Sequence, residues 1–480
     1  MERIISSYLL LLLLTFSYIQ VESRENGYIT AEISNRGLEF LKDLLIQEAE
    51  SSLVPLELPR IEKAVKIPII GNVQIAISNI VIERIDVTSS TLQTGDSGIV
   101  IDVAGATANL SMNWEYSYST WLLPISLSDN GNATVQVEGL EVGLTLSLET
   151  VGGSLRLSPL ECGCYVGDIS IRLNGGASWL YQGFIDAFEG KISSAVEDAI
   201  PEKIKEAIVN LDSLLQSLPK ELPVTNIAAM NVTFVDDLVL NKSSLRLKID
   251  GLFSETHKVA LPTYHHRLLS ALVSTDEAEK MVKISVHEDV IKSASAVYFE
   301  ANKMVWTVDK VPDQSLLNTA GWKFIIPQLY KKYPNHDMNL NLSVSSLPTI
   351  EVEEQQVRVV VPLDVVINVL EADEIIPVVC ISTVISSSTS AEISRNAVVG
   401  VAKLNSFTMS LKWSKIGSLH MHLIQTLVST VMRTVVFPYL NLQLDQGYPI
   451  PVFHGYTLKD AGILLTDNQI VVGTDVAHVC

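Results

Sequence analysis

Gly95-Asp96-Ser97-Gly98 matches the nucleophile loop of chymotrypsin-like proteases. That chemistry needs a histidine base within hydrogen-bond reach of the serine. In those enzymes the base precedes the serine, whereas the first histidine here is His257. Gly-rich polar residues also suit a tight turn between two strands, which accounts for the tetrapeptide without chemistry. His420 and His422 stand two apart near a helix start, so on a helix they diverge, and His265-His266 is a lone pair in a connecting segment. Neither has metal-ligand spacing. Glu371, Asp373 and Glu374 fit a solvated turn. The sequence has no G-x-S-x-G, Walker loop, G-x-G-x-x-G or H-E-x-x-H, and we expect neither an enzyme nor a metal protein.

Cys162 and Cys164 sit two apart in an expected strand, so both thiols share one face. Two ligands do not hold zinc, and they read as structural. A run of rings at Trp114, Tyr116, Tyr118 and Trp121 is spaced mostly by two. Rings of this kind favour a membrane interface. Two placements stay open, a tip that dips into lipid and a strand whose rings pack on neighbours. Arg60, Lys63 and Lys66 form the basic patch of the N-terminal half, with Glu62 offsetting one charge; a solvated face explains it.

The elements that must position these residues recur in two halves. Residues 37–51 repeat Leu38, Leu41, Leu44 and Leu45 at helical spacing, ended by Pro55 and Pro59. Alternating strands follow at 98–110, 133–149, 153–160 and 164–174. The stretch 179–218 returns to helical spacing, and Pro201 should kink or divide it. The second half repeats the order: a helix over 319–333 broken or kinked near Pro327, strands at 338–346, 348–354, 357–370, 374–385, 388–394 and 398–413, an apolar helix over 419–440 and final strands at 456–478. Long antiparallel strands with two helices per half predict an α+β fold of two curled, highly twisted sheets.

Composition narrows the function. The 480 residues carry 34 Lys+Arg against 54 Asp+Glu, a net charge of −20, so a nucleic-acid binder is not expected. Hydrophobic residues reach 47% and charged residues only 18%, with a mean hydropathy of +0.29. Ordinary soluble domains carry about 25% charged residues. Either more apolar surface than usual is buried, or apolar surface serves a ligand. Residues 1–23 read as a signal peptide, with Arg3, an apolar stretch over Leu9–Phe16, and Val21 and Ser23 before the cut. Sequons at Asn109, Asn132, Asn231, Asn241 and Asn341 suit a secreted glycoprotein.

Several stretches in this order resemble the family of bactericidal/permeability-increasing protein and lipopolysaccharide-binding protein, and its plant members most. They are GYITAEISNRGLEFLKDLL, GGASWLYQGFIDAFEGKISSAVEDAI, WKFIIPQLYKKYPNHDMNLNLSVSS and LNLQLDQGYPIPVFHGYTLKD followed by VVGTDVA. The resemblance implies a boomerang of two tubular barrels joined by a central sheet. The domains would be a signal peptide at 1–23, an N-terminal lipid-binding barrel at 24–245, a connecting segment and central sheet at 246–280, and a C-terminal barrel at 281–480. It implies bound phospholipid, no other cofactor, and a monomer that meets lipopolysaccharide, phospholipids and a membrane surface such as the bacterial outer membrane. The expected role is secreted defence and innate immune sensing of Gram-negative bacteria. A lipid-transfer protein that carries phospholipid or sterol ester between membranes is the alternative.

Carried onto this chain, the first pocket would be lined by Leu38, Leu41, Leu45, Phe184, Phe188 and Ile192. The second would be lined by Trp322, Ile325, Leu329, Leu423 and Leu427. Two departures stand out. Residues 179–218 contain no Cys, so the disulfide that ties a strand to the long helix in animal members cannot form. Residues 85–155 contain no Lys or Arg, and residues 24–250 hold 16 basic against 30 acidic residues. Charge-led capture of lipid A phosphates by the first barrel is therefore weak.

Overall fold

The computed structural model describes residues 27–67, 71–95, 98–119, 126–174, 181–236, 238–256, 280–310, 314–372, 374–394, 397–449 and 456–478. The expected signal peptide at 1–23, Ser97, Trp121, His265, His266, Asp373 and Cys480 lie outside them. Strand β1 (Ile29–Ser34) runs into helix α1 (Asn35–Ser52), whose first turn is capped by the Ser34 hydroxyl accepting from the Gly37 N–H. The long strands β2 (Gly71–Asp86), β3 (Gly98–Ser119), β4 (Ser126–Val151) and β5 (Ser154–Tyr165) and the shorter β6 (Asp168–Asn174) precede helix α2 (Tyr181–Gln216). Next come β7 (Ser244–Ile249), β8 (Val282–His287) and α3 (Glu288–Glu300).

The second half repeats this plan. Two 3₁₀ turns lead to the short helix α4 (Pro327–Lys332). Strands β9 (Asp337–Val344), β10 (Thr349–Glu353), β11 (Gln356–Glu371), β12 (Glu374–Ser394) and β13 (Ala397–Ser414) follow. Helix α5 (Met421–Val431), a π-helical turn at Met432–Val436 and helix α6 (Phe437–Gln446) then precede the closing hairpin of β14 (Tyr456–Thr466) and β15 (Gln469–His478).

With the shorter strands Leu56–Leu58, Ile61–Ile67 and Ser89–Gly95 in the first half, and Val305–Val308 and Tyr448–Pro449 in the second, these strands form one eight-stranded and one seven-stranded antiparallel sheet, the α+β class expected. Bulges re-aim both: β3 slips against β2 between Ser78 and Val81, and β12 slips against its neighbours at Asn368, Ile381 and Ser387. A third, six-stranded sheet is shared by the two halves, in the order Val239–Asn241, β7, β1, β8, β15, β14. The first and last strands of the protein thus lie one strand apart.

Asp475 in β15 fastens that shared sheet. Its carboxylate accepts from the Met281 N–H at 3.0 Å and pairs with Arg36 of α1 at 3.6 Å and Lys280 at 3.5 Å. Burial pushes its pKa up, but the Met281 N–H and the two cations outweigh this and hold it below the usual carboxylate value. A depressed pKa gives stability that is present above the unfolded value and lost as pH falls through the folded one. We expect Asp475→Asn to unfold in less urea than the parent at pH 7. The gap should narrow and close as pH falls below the usual carboxylate range and the parent's carboxyl protonates; urea melts across an acid-to-neutral pH series measure it.

One helix expectation needs correction: Pro201 does not divide its helix. Helix α2 is continuous through Pro201, because both flanks are anchored: Val196 and Ile200 before it, Ile204 and Ile208 after it, all in apolar clusters. The helix of 319–333 is broken near Pro327, as expected: a 3₁₀ turn at Thr319–Trp322 is separated from Pro327–Lys332, and Ile326 takes a non-helical conformation. Proline acts differently again at 438. Its missing N–H leaves the Thr434 carbonyl without the usual partner, and the backbone widens into the π turn just upstream.

Candidate functional site

In the first half a close-packed buried cluster occupies the inner face among the described residues. Phe188, Ile192, Val196 and Ile200 make one stripe of α2 and are at most 2% exposed. They pack on Val73, Ile75, Ile77 and Ile80 of β2, on Ala108, Leu110 and Met112 of β3, and on Ile169 and Ile171 of β6. Further along α2, Ile208 joins Leu146 and Leu157, with Leu211 and Leu215 packed against them. The void bounded by Ile77, Met112, Ile171, Ile185 and Phe188 has a volume of about 10 Å³, roughly one water. An acyl chain does not fit there.

Trp114 belongs to this core. Register places it opposite Ile77, with Tyr116 opposite Ile75 and Tyr118 opposite Val73, all on the inner face. Trp114 is 3% exposed, donates its indole N–H to the Asn132 carbonyl at 3.2 Å and stacks with Tyr116. Tyr116 and Tyr118 pack against the same cluster. Of the two placements open from sequence, the packed strand is the one seen for these three rings, so the expected lipid-contacting tip is corrected there. Two-residue spacing puts the rings on one face but does not say which face is inside.

The second half differs. Register places on one inner face Met338, Leu340 and Leu342 of β9; Val357, Val359, Val361, Leu363, Val365, Ile367 and Val369 of β11; Val379, Ile381, Thr383, Ile385, Ser387 and Thr389 of β12; and Ala402, Leu404, Phe407, Met409 and Leu411 of β13, where a bulge switches the alternation between Leu404 and Phe407. The opposite face of β12 carries Ser382, Ser386, Ser388 and Ser390. Only one end of this inner face is plugged. There Ile367, Val369, Val379 and Ile381 close on Ile326, Leu329, Ile416 and Ile424, with Trp322, Ile325 and Val428 packed around them. Beyond that plug, Val357, Val359, Val361, Ile385, Leu404 and Phe407 stay half-buried and, among the described residues, join no buried cluster.

Helices α5 and α6 run beside this open stretch. Gln425 donates to the Phe407 carbonyl at 3.2 Å. Asn441 accepts from the Ala402 N–H at 2.8 Å and donates to its carbonyl at 3.1 Å. These amides occupy backbone groups on the edge of β13, so the helices are tied along that strand. The stretch Met421–Gln446 is long and apolar enough to cross a membrane, yet little of it is buried. Leu423, Val435, Val436, Tyr439, Leu440 and Leu442 are between 40% and 65% exposed. An apolar sheet face and an apolar helix pair are thus tied together at two points, and among the described residues no buried cluster forms on the stretch between. This arrangement can receive a hydrocarbon chain.

The sequence-derived linings divide accordingly. Leu38 is buried while Leu41 and Leu45, one and two turns on, are 41% and 45% exposed. Phe188 and Ile192 lie in the packed core, and the side chain of Phe184 is outside the described residues. Trp322, Ile325 and Leu329 belong to the plug. Leu423 is 55% exposed and Leu427 half-buried, while their neighbours Ile424 and Val428 face the plug.

A polar cleft of about 390 Å³ on α5 escaped the sequence reading. His422, Gln425, Thr426, Ser429, Thr430 and Arg433 line it. Their spacing of three and four residues was the available signal. His420 precedes the first turn of α5 without a side-chain cap bond. Among the described residues, no group of three His, Cys, Asp or Glu side chains could hold a metal ion.

Cys162 and Cys164 are free, as is Cys380. Burial raises all three thiols, with Glu197 adding to the shift at Cys164, which is pushed up to about 12. They are therefore protonated and unreactive at neutral pH. Arg60 pairs with Glu62 and Glu115 on the exposed surface. Asn109, Asn132, Asn241 and Asn341 are exposed; Asn231 is half-buried, its side-chain oxygen accepting from the Thr233 N–H.

Known proteins share this plan. The model described as the N-terminal domain of the LBP / BPI / CETP family matches residues 37–218, and that of the C-terminal domain matches residues 223–478. A BPI/LBP family protein of Arabidopsis thaliana is 49% identical over 475 residues, covering 98% of this chain and 97% of its own. Human lipopolysaccharide-binding protein is 23% identical over 489 residues, covering 100% and 99% of the two chains. The crystal structure of lipopolysaccharide binding protein superposes with a TM-score of 0.60 at 20% identity, over 95% of this chain and 100% of that one. The chain belongs to the LBP/BPI/CETP family as a plant-type member.

Proposed function

We propose that the protein is a secreted lipid binder that takes up bacterial lipopolysaccharide and phospholipid by their acyl chains, in defence against Gram-negative bacteria. The unfilled apolar stretch between β11–β13 and the α5–α6 helices carries this reading. Each CH₂ that leaves water contributes about 0.8 kcal/mol, so a chain of some fourteen carbons gains roughly 10 kcal/mol before ordering costs. Names of relatives that bind lipopolysaccharide support the choice of ligand. In the first half, Leu41 and Leu45 of α1 are the members of the proposed lining that remain open.

The acidic first half favours the alternative of phospholipid or sterol ester transfer, since phosphates of lipid A meet no cation across 85–155. Native mass spectrometry of the secreted protein, with lipid extraction, tests the common core of both readings. We expect at least one acyl lipid per chain, displaced by purified lipopolysaccharide with an affinity that changes little between low and high salt, as apolar contact requires. A protein that leaves the cell without lipid and takes up none overturns the proposal.

A further inference from the structure

We propose that the plugged end of the second half is a docking surface for an anionic phospholipid membrane. This surface goes beyond the interior site and names the partner from which lipid would be exchanged. Charge is strongly segregated here. Residues 314–336 hold Lys323, Lys331 and Lys332 and no Asp or Glu; residues 393–444 hold five Lys and Arg and again no acid. Both stretches belong to a chain with 54 acidic residues.

The fold brings the two together. Lys332 donates to the Lys415 carbonyl at 3.3 Å, and Gln328 donates to the Ser418 carbonyl at 3.3 Å. Lys323, Lys331, Lys332 and Lys415 are all exposed, and among the described residues no carboxylate pairs with them within 4.0 Å. Asp337 is engaged by Asn318 at 2.9 Å, and Glu371 sits 3.8 Å from His336; with Asp373 and Glu374 they are the acids of the adjoining strand ends.

Aromatic rings accompany the cations. Phe324 is 84% exposed, with the Lys323 ammonium 4.8 Å from its ring centre. Trp413 is 37% exposed beneath Lys415, at 5.8 Å. Beneath them lies the close-packed plug of Trp322, Ile325, Ile326, Leu329 and Ile416. A ring this exposed on a rigid base does nothing for the core. Beside unpaired ammonium groups, it matches the boundary between phosphate headgroups and acyl chains. Among the described residues of the first half, cations are outnumbered by acids, and Arg60 and Arg84 are paired with acids.

The experiment is co-sedimentation of the full-length mature protein with phosphatidylcholine vesicles, with and without phosphatidylserine. We expect binding to the anionic vesicles alone, weakening steeply as salt rises. Each lysine facing such a surface contributes about a fivefold change. The combined Lys323→Gln, Lys331→Gln and Lys332→Gln variant should therefore bind about a hundredfold more weakly. Phe324→Ser should lose several-fold while keeping its salt dependence, whereas Lys203→Gln with Lys205→Gln on α2 should bind like the parent. Circular dichroism melts of these surface variants should coincide with the parent's. Equal binding to neutral vesicles, no binding to either, or a triple variant as tight as the parent overturns the proposal. Lipid extracted from the same samples reports on the interior site separately. A loaded protein that ignores vesicles defeats the docking surface alone, and an empty one that binds them defeats the interior reading alone.

Discussion

Ser387→Trp is expected to reduce co-purified lipid at least tenfold. Ser387 sits on the inner face of β12, opposite Val359 of β11 and Leu404 of β13, in the row where no buried cluster forms. An indole placed there occupies the space proposed for an acyl chain and presents its own apolar surface to the same walls. Because the site is open, the fold should tolerate it, with less than about 1 kcal/mol of change in stability. Overpacking a filled core instead costs about 1–3 kcal/mol. The two outcomes separate cleanly. Lost lipid with an unchanged urea midpoint supports an open channel; a lowered midpoint with unchanged lipid means that side chains already fill it. Ser390→Trp, on the opposite face of the same strand and exposed, controls for the added ring and should retain lipid.

Much of the framework was legible in the sequence, because strand alternation and helical spacing respond directly to which face is buried. The final strands over 456–478 and the helix beginning at 37 stand close to where periodicity places them. Strand ends were less legible. The aromatic segment after Asn113 continues β3 to Ser119, and the expected pieces at 374–385 and 388–394 are one strand of 21 residues. Serine-rich outer faces obscured that continuity, since Ser382, Ser386 and Ser388 read locally as turn residues.

The difference between the halves was not legible. Both halves show apolar strands and an apolar helix, and composition does not say whether opposing side chains meet. In the first half, Phe188, Ile192, Val196 and Ile200 reach the sheet. In the second, the π turn at 432–436 shifts the helical phase, and Asn441 at the edge of β13 fixes the path of α6. A shift of one residue separates the expected Leu423 and Leu427 from Ile424 and Val428, which pack at the plug. Helical spacing defined the stripe, but the plug selected its phase.

The packed first half leads to the largest stability effect we expect: Ile192→Asp should unfold it. Ile192 has no exposure and lies one turn from both Phe188 and Val196, against a sheet face of Val, Ile, Leu and Ala. Among the described residues, the cluster around a carboxylate there is apolar, and Ile192 itself has no exposure to water. The group would protonate or drag solvent into the core, and loss of the isoleucine adds its own cavity or packing cost. The total exceeds about 5 kcal/mol, comparable to the whole stability of a typical domain. Limited proteolysis at 25 °C should then cut residues 71–216 rapidly. Leu423→Asp, at a position already 55% exposed, should change global stability by less than about 1 kcal/mol. A folded, protease-resistant Ile192→Asp protein would mean that α2 does not pack on the sheet in solution. The first half would then be open like the second, and the restriction of the proposed acyl channel to β11–β13 would fall with it.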